Sequence, residues 1–140
     1  MTLQNFFNKY NCRYLDYDGA FGNQCVDVMR AYVKEVYGLN PYTAIPPRGN
    51  AKYIFKSFVD NADFIKILNG RTNAPESGDI IFFKTSLFYP WLYGFAGHVE
   101  IVDQADSMNM INFAQNWPTG SPCHYQKRKY KDCLGWLHRR

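Results

Sequence analysis

Apolar positions change rhythm along this chain, from helical spacing in the first part to strand-like alternation in the second. "LQNFFNKY" sets Leu3, Phe6 and Phe7 on one side and predicts a short amphipathic helix. "CVDVMRAYVKEVYG" repeats Val28, Tyr32 and Val36 at helical spacing, and Gly38 is placed to stop that helix. "LNPYTAIPPRGN" holds three prolines and two asparagines and predicts an extended loop. "AKYIFKSFV" reads as another helix, whereas "FIKILNG" fits either a strand or that helix's end. A turn at Ser77-Gly78-Asp79 then leads into "IIFFK", a strand of β-branched and aromatic residues. "GHVEIVDQA" is the next strand, alternating His98, Glu100 and Val102 against Val99 and Ile101. "MNMINFAQNW" is a third, and "LGWLHRR" a short closing one. Helices first and an antiparallel sheet afterwards is the α+β pattern.

Composition narrows this picture. The 140 residues suit one domain, 1–140, and 46% hydrophobic and 18% aromatic residues suffice for a core. The net charge of +4 is concentrated in "YQKRKYKD" and "HRR", which read as a solvated basic end or a weak attraction to a polyanionic wall. No basic stripe on a nucleic-acid module is present, so no nucleic-acid partner is expected. No apolar run approaches the length of a membrane span, and a soluble monomer is expected. The N-terminal segment shows no basic start followed by an apolar run, so it does not read as a signal peptide.

Cys12, Cys25, Cys123 and Cys133 show neither a CxxC nor a zinc-like Cys/His spacing, and free thiols are expected. Cys25 differs from the others because it follows a Gly-containing loop and opens the second helix. Unpaired amides at a helix N-terminus favour a thiolate, the form of sulfur that acts as a nucleophile. Cys12, Cys123 and Cys133 read as small buried hydrophobes. Of the three histidines, His124 lies in a Pro/Gly-flanked loop and His138 in the basic tail. His98 opens a strand directly after Gly97, beside the long aromatic segment "SLFYPWLYGFAG". It is the candidate general base for Cys25.

The same loop, "DYDGAFGNQCVD", carries a second chemistry. Asp16, Asp18 and Asp27 occupy positions 1, 3 and 12, a spacing of carboxylates found in calcium loops. Ala20 and Gly22, at positions 5 and 7, would add only backbone carbonyls. An acidic turn without metal is the alternative.

Taken in order, "DYDGAFGNQCVD", "SGDIIFF", "GHVEIVD" and "AQNW" resemble the CHAP domain of bacteriophage endolysins and peptidoglycan hydrolases. The resemblance runs from Leu15 to the C-terminus. It implies a papain-like α+β fold with N-terminal helices packed on an antiparallel sheet, and cysteine amidase or endopeptidase action on Gram-positive wall peptides. It makes Cys25 the nucleophile and His98 the base. Relatives often carry Glu two residues before the Asn of the QNW run, where this chain has Ala114. Strand alternation puts Asn116 on the side of Ala114, so Asn116 is expected to orient His98. Gln24 is the expected oxyanion donor, and Trp91, Tyr93 and Trp117 the expected groove aromatics. Some endolysin CHAP domains bind calcium in this loop, so a structural Ca2+ is expected. The implied setting is a lysin held in the host cytoplasm until a holin releases it to the wall, or alternatively a piece of a virion structure, and the resemblance leaves open a separate wall-binding domain in a longer protein. A wall-binding module without catalysis and an acyl transferase on the same site are the alternatives.

Overall fold

The computed structural model describes residues 1–20, 22–70, 73–84 and 96–140. Helix α1 (Leu3–Tyr10) begins at Thr2, whose hydroxyl accepts the Asn5 N–H at 3.1 Å, a cap worth about 1 kcal/mol. Helix α2 (Cys25–Tyr37) ends where Gly38 takes a φ of 68°, a left-handed conformation that costs glycine little. The proline-rich segment is not wholly extended. Pro41–Ala44 make a single helical turn, α3, with Asn40 accepting the Tyr42 N–H at 2.9 Å. The buried Arg30 guanidinium of α2 donates to the carbonyls of Pro41 and Ile45 and so ties α3 to its neighbour. Helix α4 spans Ala51–Ser57.

Six strands follow: β1 (Phe64–Leu68), β2 (Ile80–Phe83), β3 (His98–Ala105), β4 (Asn109–Ala114), β5 (His124–Lys129) and β6 (Cys133–Arg139). They form one sheet in the order β1-β6-β2-β3-β4-β5, every neighbouring pair antiparallel. "FIKILNG" is therefore strand rather than helix. The fold is α+β.

β5 departs from the sequence reading, which placed His124 in a loop and treated the basic residues after it as a solvated end. "HYQKRK" has almost no apolar alternation. It becomes a strand by pairing along its whole length with β4, from Ala114↔His124 to Asn109↔Lys129. Exposed Lys127 and Lys129 on this outermost strand also discourage edge-to-edge association.

The helices cover one sheet face. Phe6 and Phe7 of α1 and Val28, Tyr32 and Val33 of α2 pack against Ile80, Phe82, Val99, Ile101 and Phe113. The alternate residues Ile81, Phe83, Val102, Met110 and Trp136 form a smaller cluster on the opposite face. His98 and Glu100 belong to that second face, because they pair across the ladder with Phe83 and Ile81. Among the described residues no helix is long and apolar enough to cross a membrane.

Candidate active site

Cys25 is the first residue of α2 and is half-buried. His98 is the first residue of β3, only 3% exposed. Gly97 explains how the strand can start there. At a φ of 71° its Cα passes so near α4 that a Cβ would stand 2.6 Å from the Phe83 carbonyl and 2.8 Å from Lys52 Cβ. The Lys52 N–H donates to the Ala96 carbonyl at 3.0 Å and locks this approach. The imidazole then reaches Cys25, with which it is hydrogen-bonded.

The third member of the cluster is Glu100. His98 Nε2–H donates to Glu100 Oε2 at 3.0 Å, which leaves Nδ1 as the ring nitrogen for the sulfur. Glu100 is 1% exposed and fully engaged. Oε1 accepts from Asn112 Nδ2 at 2.8 Å, and Oε2 also accepts from Arg128 at 3.0 Å and from Gln126. Burial alone would push this carboxyl up; His98, Arg128 and Asn112 outweigh it and hold it below the usual carboxylate range. Burial likewise works against a charged His98. The charges and hydrogen bonds of Cys25 and Glu100 win, and His98 is raised to about 9.

Asn116, expected to orient His98, does something else. The strand ends at Ala114, and Asn116 takes a φ of 64°, so period-two alternation no longer carries its side chain to the histidine. Its Oδ1 accepts the Gly120 N–H at 2.7 Å. Glu100 was legible as a partner, because residues two apart on a strand share a face. Trp117 is also displaced from its expected place on the groove wall. It is 7% exposed and packs behind the site, its ring 5.0 Å from the His98 ring. Trp91 and Tyr93 lie outside the described residues.

A cleft of about 440 Å³ opens over this cluster, lined by Tyr14, Asn23, Gln24, Cys25, Gly97 and His98 and, on its far side, by Asn116 and Gly120. Gln24, the expected oxyanion donor, stands exposed at the cleft beside Cys25. Tyr14 was not singled out by sequence. It is 58% exposed and donates its hydroxyl to the Gly120 carbonyl at 2.9 Å, bracing the cleft wall. Beneath the cleft, buried Gln115 donates to the carbonyls of Leu15 (2.7 Å) and Gln24 (2.9 Å) and accepts the Leu15 N–H (2.7 Å). One amide thus closes the neck of the loop that presents Cys25.

On that loop Asp16, Asp18 and Asp27 bring carboxylate oxygens within 4.8 Å of one another. Asp27 is buried and receives the N–H groups of Gln24 (2.8 Å) and Tyr17 (3.2 Å). Burial raises its pKa above the usual carboxylate value, and the charges of Asp18 and Asp16 raise it further against those two donors. Three converging carboxylates repel one another, so the set fits a hard, oxygen-liganded cation. Ala20 and Gly22 lie on the same loop. The four cysteines are free; Cys123 is buried as expected and Cys133 partly so, but Cys12 is exposed, in a turn with φ 65° after α1.

The CHAP domain family matches residues 14–116. The chain belongs to the CHAP domain family. Its fold is similar to that of the wild-type endolysin LysIME-EF1 (TM-score 0.74, 20% identity), covering 99% of this chain and 64% of that one. It is also similar to Ly7917 (TM-score 0.67, 14% identity), covering 99% of this chain and 62% of that one. A structure of Ly7917 "with the hydrolyzing product of MDP" matches at TM-score 0.69 and 13% identity, covering 96% of this chain and 60% of that one. This CHAP domain thus spans less than two thirds of the length of these neighbours. No curated protein matches it by sequence.

Proposed function

We propose that this CHAP domain is a cysteine hydrolase that cleaves an amide bond in the peptide part of peptidoglycan, as an amidase or endopeptidase of a lysin acting on Gram-positive walls. The observation that carries the reading is the row Cys25–His98–Glu100, a sulfur, an imidazole and a buried carboxylate in sequence, of which Cys25 and His98 line an open cleft. Family membership and the fold likeness to an endolysin support the substrate class.

The chemistry follows from the placement. Cys25 Sγ, its proton passed to His98, attacks the amide carbonyl carbon and forms a C–S bond. The negative charge moves to the carbonyl oxygen, where the Cys25 backbone N–H and the Gln24 amide are the donors at hand. The His98 imidazolium returns its proton to the leaving nitrogen as the C–N bond breaks. Water then attacks the thioester carbonyl, losing a proton to His98, and the sulfur departs. Glu100 holds the ring in one tautomer and stabilises its charge throughout. Asp16, Asp18 and Asp27 would hold a calcium ion whose contribution is structural, stiffening the loop ahead of Cys25; Ala20 and Gly22 carbonyls are further candidates.

Clearing of purified Gram-positive walls by the wild-type chain but not by Cys25→Ala, with mass spectrometry of released muropeptides to name the bond, is the test. Equal clearing by both would overturn the reading. A binding module without catalysis drew its support from Ala114; Glu100 supplies the carboxylate that Ala114 lacks, and removes that support.

A further inference from the structure

We propose that Arg128 is a positioning residue for His98, acting through Glu100: it shares the carboxylate oxygen that orients the imidazole and so sets how tightly His98 holds its proton. The proposal rests on the hydrolase reading of the site and adds a residue from β5 that touches neither Cys25 nor the cleft.

Three observations carry it. First, His98 Nε2 and Arg128 Nη1 both donate to the same atom, Glu100 Oε2, each at 3.0 Å. Two cations therefore compete for one oxygen. Second, the guanidinium is held in a fixed plane. Its Cζ lies 3.8 Å from the centroid of Phe83 and 4.5 Å from that of Trp117, so the group sits between two rings. Third, Trp117 also packs on the His98 ring, so guanidinium, indole and imidazole form one contiguous stack. Arginine, planar and charged at every working pH, suits a site that needs a permanent cation in a set direction.

The chemical reason lies in the proton that His98 must both take and give. A buried carboxylate with imidazolium as its sole counter-ion would bind that proton too firmly for transfer to a leaving amine. With Arg128 present, Glu100 stays ionised whatever the state of His98, and its pull on the imidazolium is divided. Among the described residues, the remaining neighbours of Glu100 and His98 are neutral or already counted. Ile81 and Phe83 face them from β2, and Asn112 and Ala114 from β4. Gln126 comes from β5 and Trp117 from the loop beyond β4. Cys133 of β6, held up at about 12 by burial, is a neutral thiol, and Cys25 faces from α2.

The test is the titration of the His98 ring by nitrogen–proton correlation NMR in the intact chain, wild type against Arg128→Met and Arg128→Lys. Arg128→Met keeps much of the stacked volume and loses the charge. Its His98 midpoint is expected to rise by about half a pH unit or more, as for the loss of one nearby like charge. The alkaline limb of wall clearing should rise with it, kcat should fall by about tenfold or more and KM should change little. Arg128→Lys should return the midpoint to the wild-type value. An unmoved midpoint in folded Arg128→Met shows that Arg128 only packs, and overturns the proposal. Should Arg128→Met fail to fold, the same titration on Arg128→Gln decides by the same criterion. The midpoint is read without substrate, so failure of the hydrolase reading in the wall assay is distinguishable from failure of this one.

Discussion

His98 finds its carboxylate two residues further along its own strand, although the expected position for such a group, 114, is on the next strand and holds alanine. The ladder shows how one can stand in for the other. Ile101 pairs with Phe113, so one step further the register sets Glu100 opposite Ala114, on the same face. A side chain from either strand can approach the same ring edge. Glu100→Ala is accordingly expected to lower turnover on the order of ten-thousandfold, the scale seen when a triad loses its acid. Adding Ala114→Glu to it should recover about tenfold or more, measured as kcat on purified walls. Asn116→Ala should cost far less than Glu100→Ala, because the Asn116 side chain holds Gly120 rather than His98. A double variant no better than the single would show that position 114 cannot reach the imidazole.

Two connecting segments carry Cys25 and His98 to each other. Before β3, Gly97 lets the chain pass against α4 where no Cβ fits. Gly97→Ala should destabilise the chain by about 1–3 kcal/mol in urea unfolding, and should lower activity more than that loss explains because His98 is displaced with it. Before α2, the acidic loop is strained by its own charge. A carboxyl whose pKa is raised on folding, as that of Asp27 is, penalises the fold above the raised value and ceases to do so as pH falls below its ordinary value. A bound cation would relieve the same penalty at neutral pH. Calcium at a hundredfold excess over its dissociation constant is worth about 2.7 kcal/mol, so it should raise Tm by roughly 5–10 °C, and EDTA should reverse this. Asp27→Asn should remove the response. If neither calcium nor EDTA shifts Tm, the three aspartates form only a turn.

In the folded chain α2 and β3, helix and sheet layers far apart in sequence, are coupled through the Cys25–His98 contact. His98 is raised to about 9 from an ordinary value near 6.5, with burial opposing and Cys25 and Glu100 prevailing. A group so raised contributes stability that is fully present below about 6.5 and is lost as pH climbs through about 9. Glu100 has the opposite sign: held low, it contributes above the ordinary carboxylate range and loses that contribution as acid protonates it. Thermal unfolding across pH should therefore show a plateau near neutrality with a fall on each side. The alkaline fall and the alkaline limb of wall clearing should share a midpoint near 9, and His98→Ala should abolish the alkaline component. A stability curve flat from pH 7 to beyond 9 would contradict this coupling.

Local pattern was enough for the two long-range players and most of the frame. Helical spacing placed α1 and α2, a turn followed by β-branched and aromatic residues placed β2, alternation placed β3, and the loop-to-helix junction and the Gly-His junction marked Cys25 and His98. These signals are short-range: each depends on neighbours within a turn or two of the chain. β5 escaped that reading because its strand identity comes from pairing with β4, not from its own residues. Asn116 misses His98, and Glu100 stands beside the ring instead, for a related reason. Whether a side chain meets an imidazole depends on where a strand ends and on the register of its partner, and both are set by backbone pairing across the sheet. The cation beside the carboxylate belongs to the same class of fact. Arg128 stands 28 residues from Glu100 and meets it only because two ladders bring β5 alongside β3 through β4.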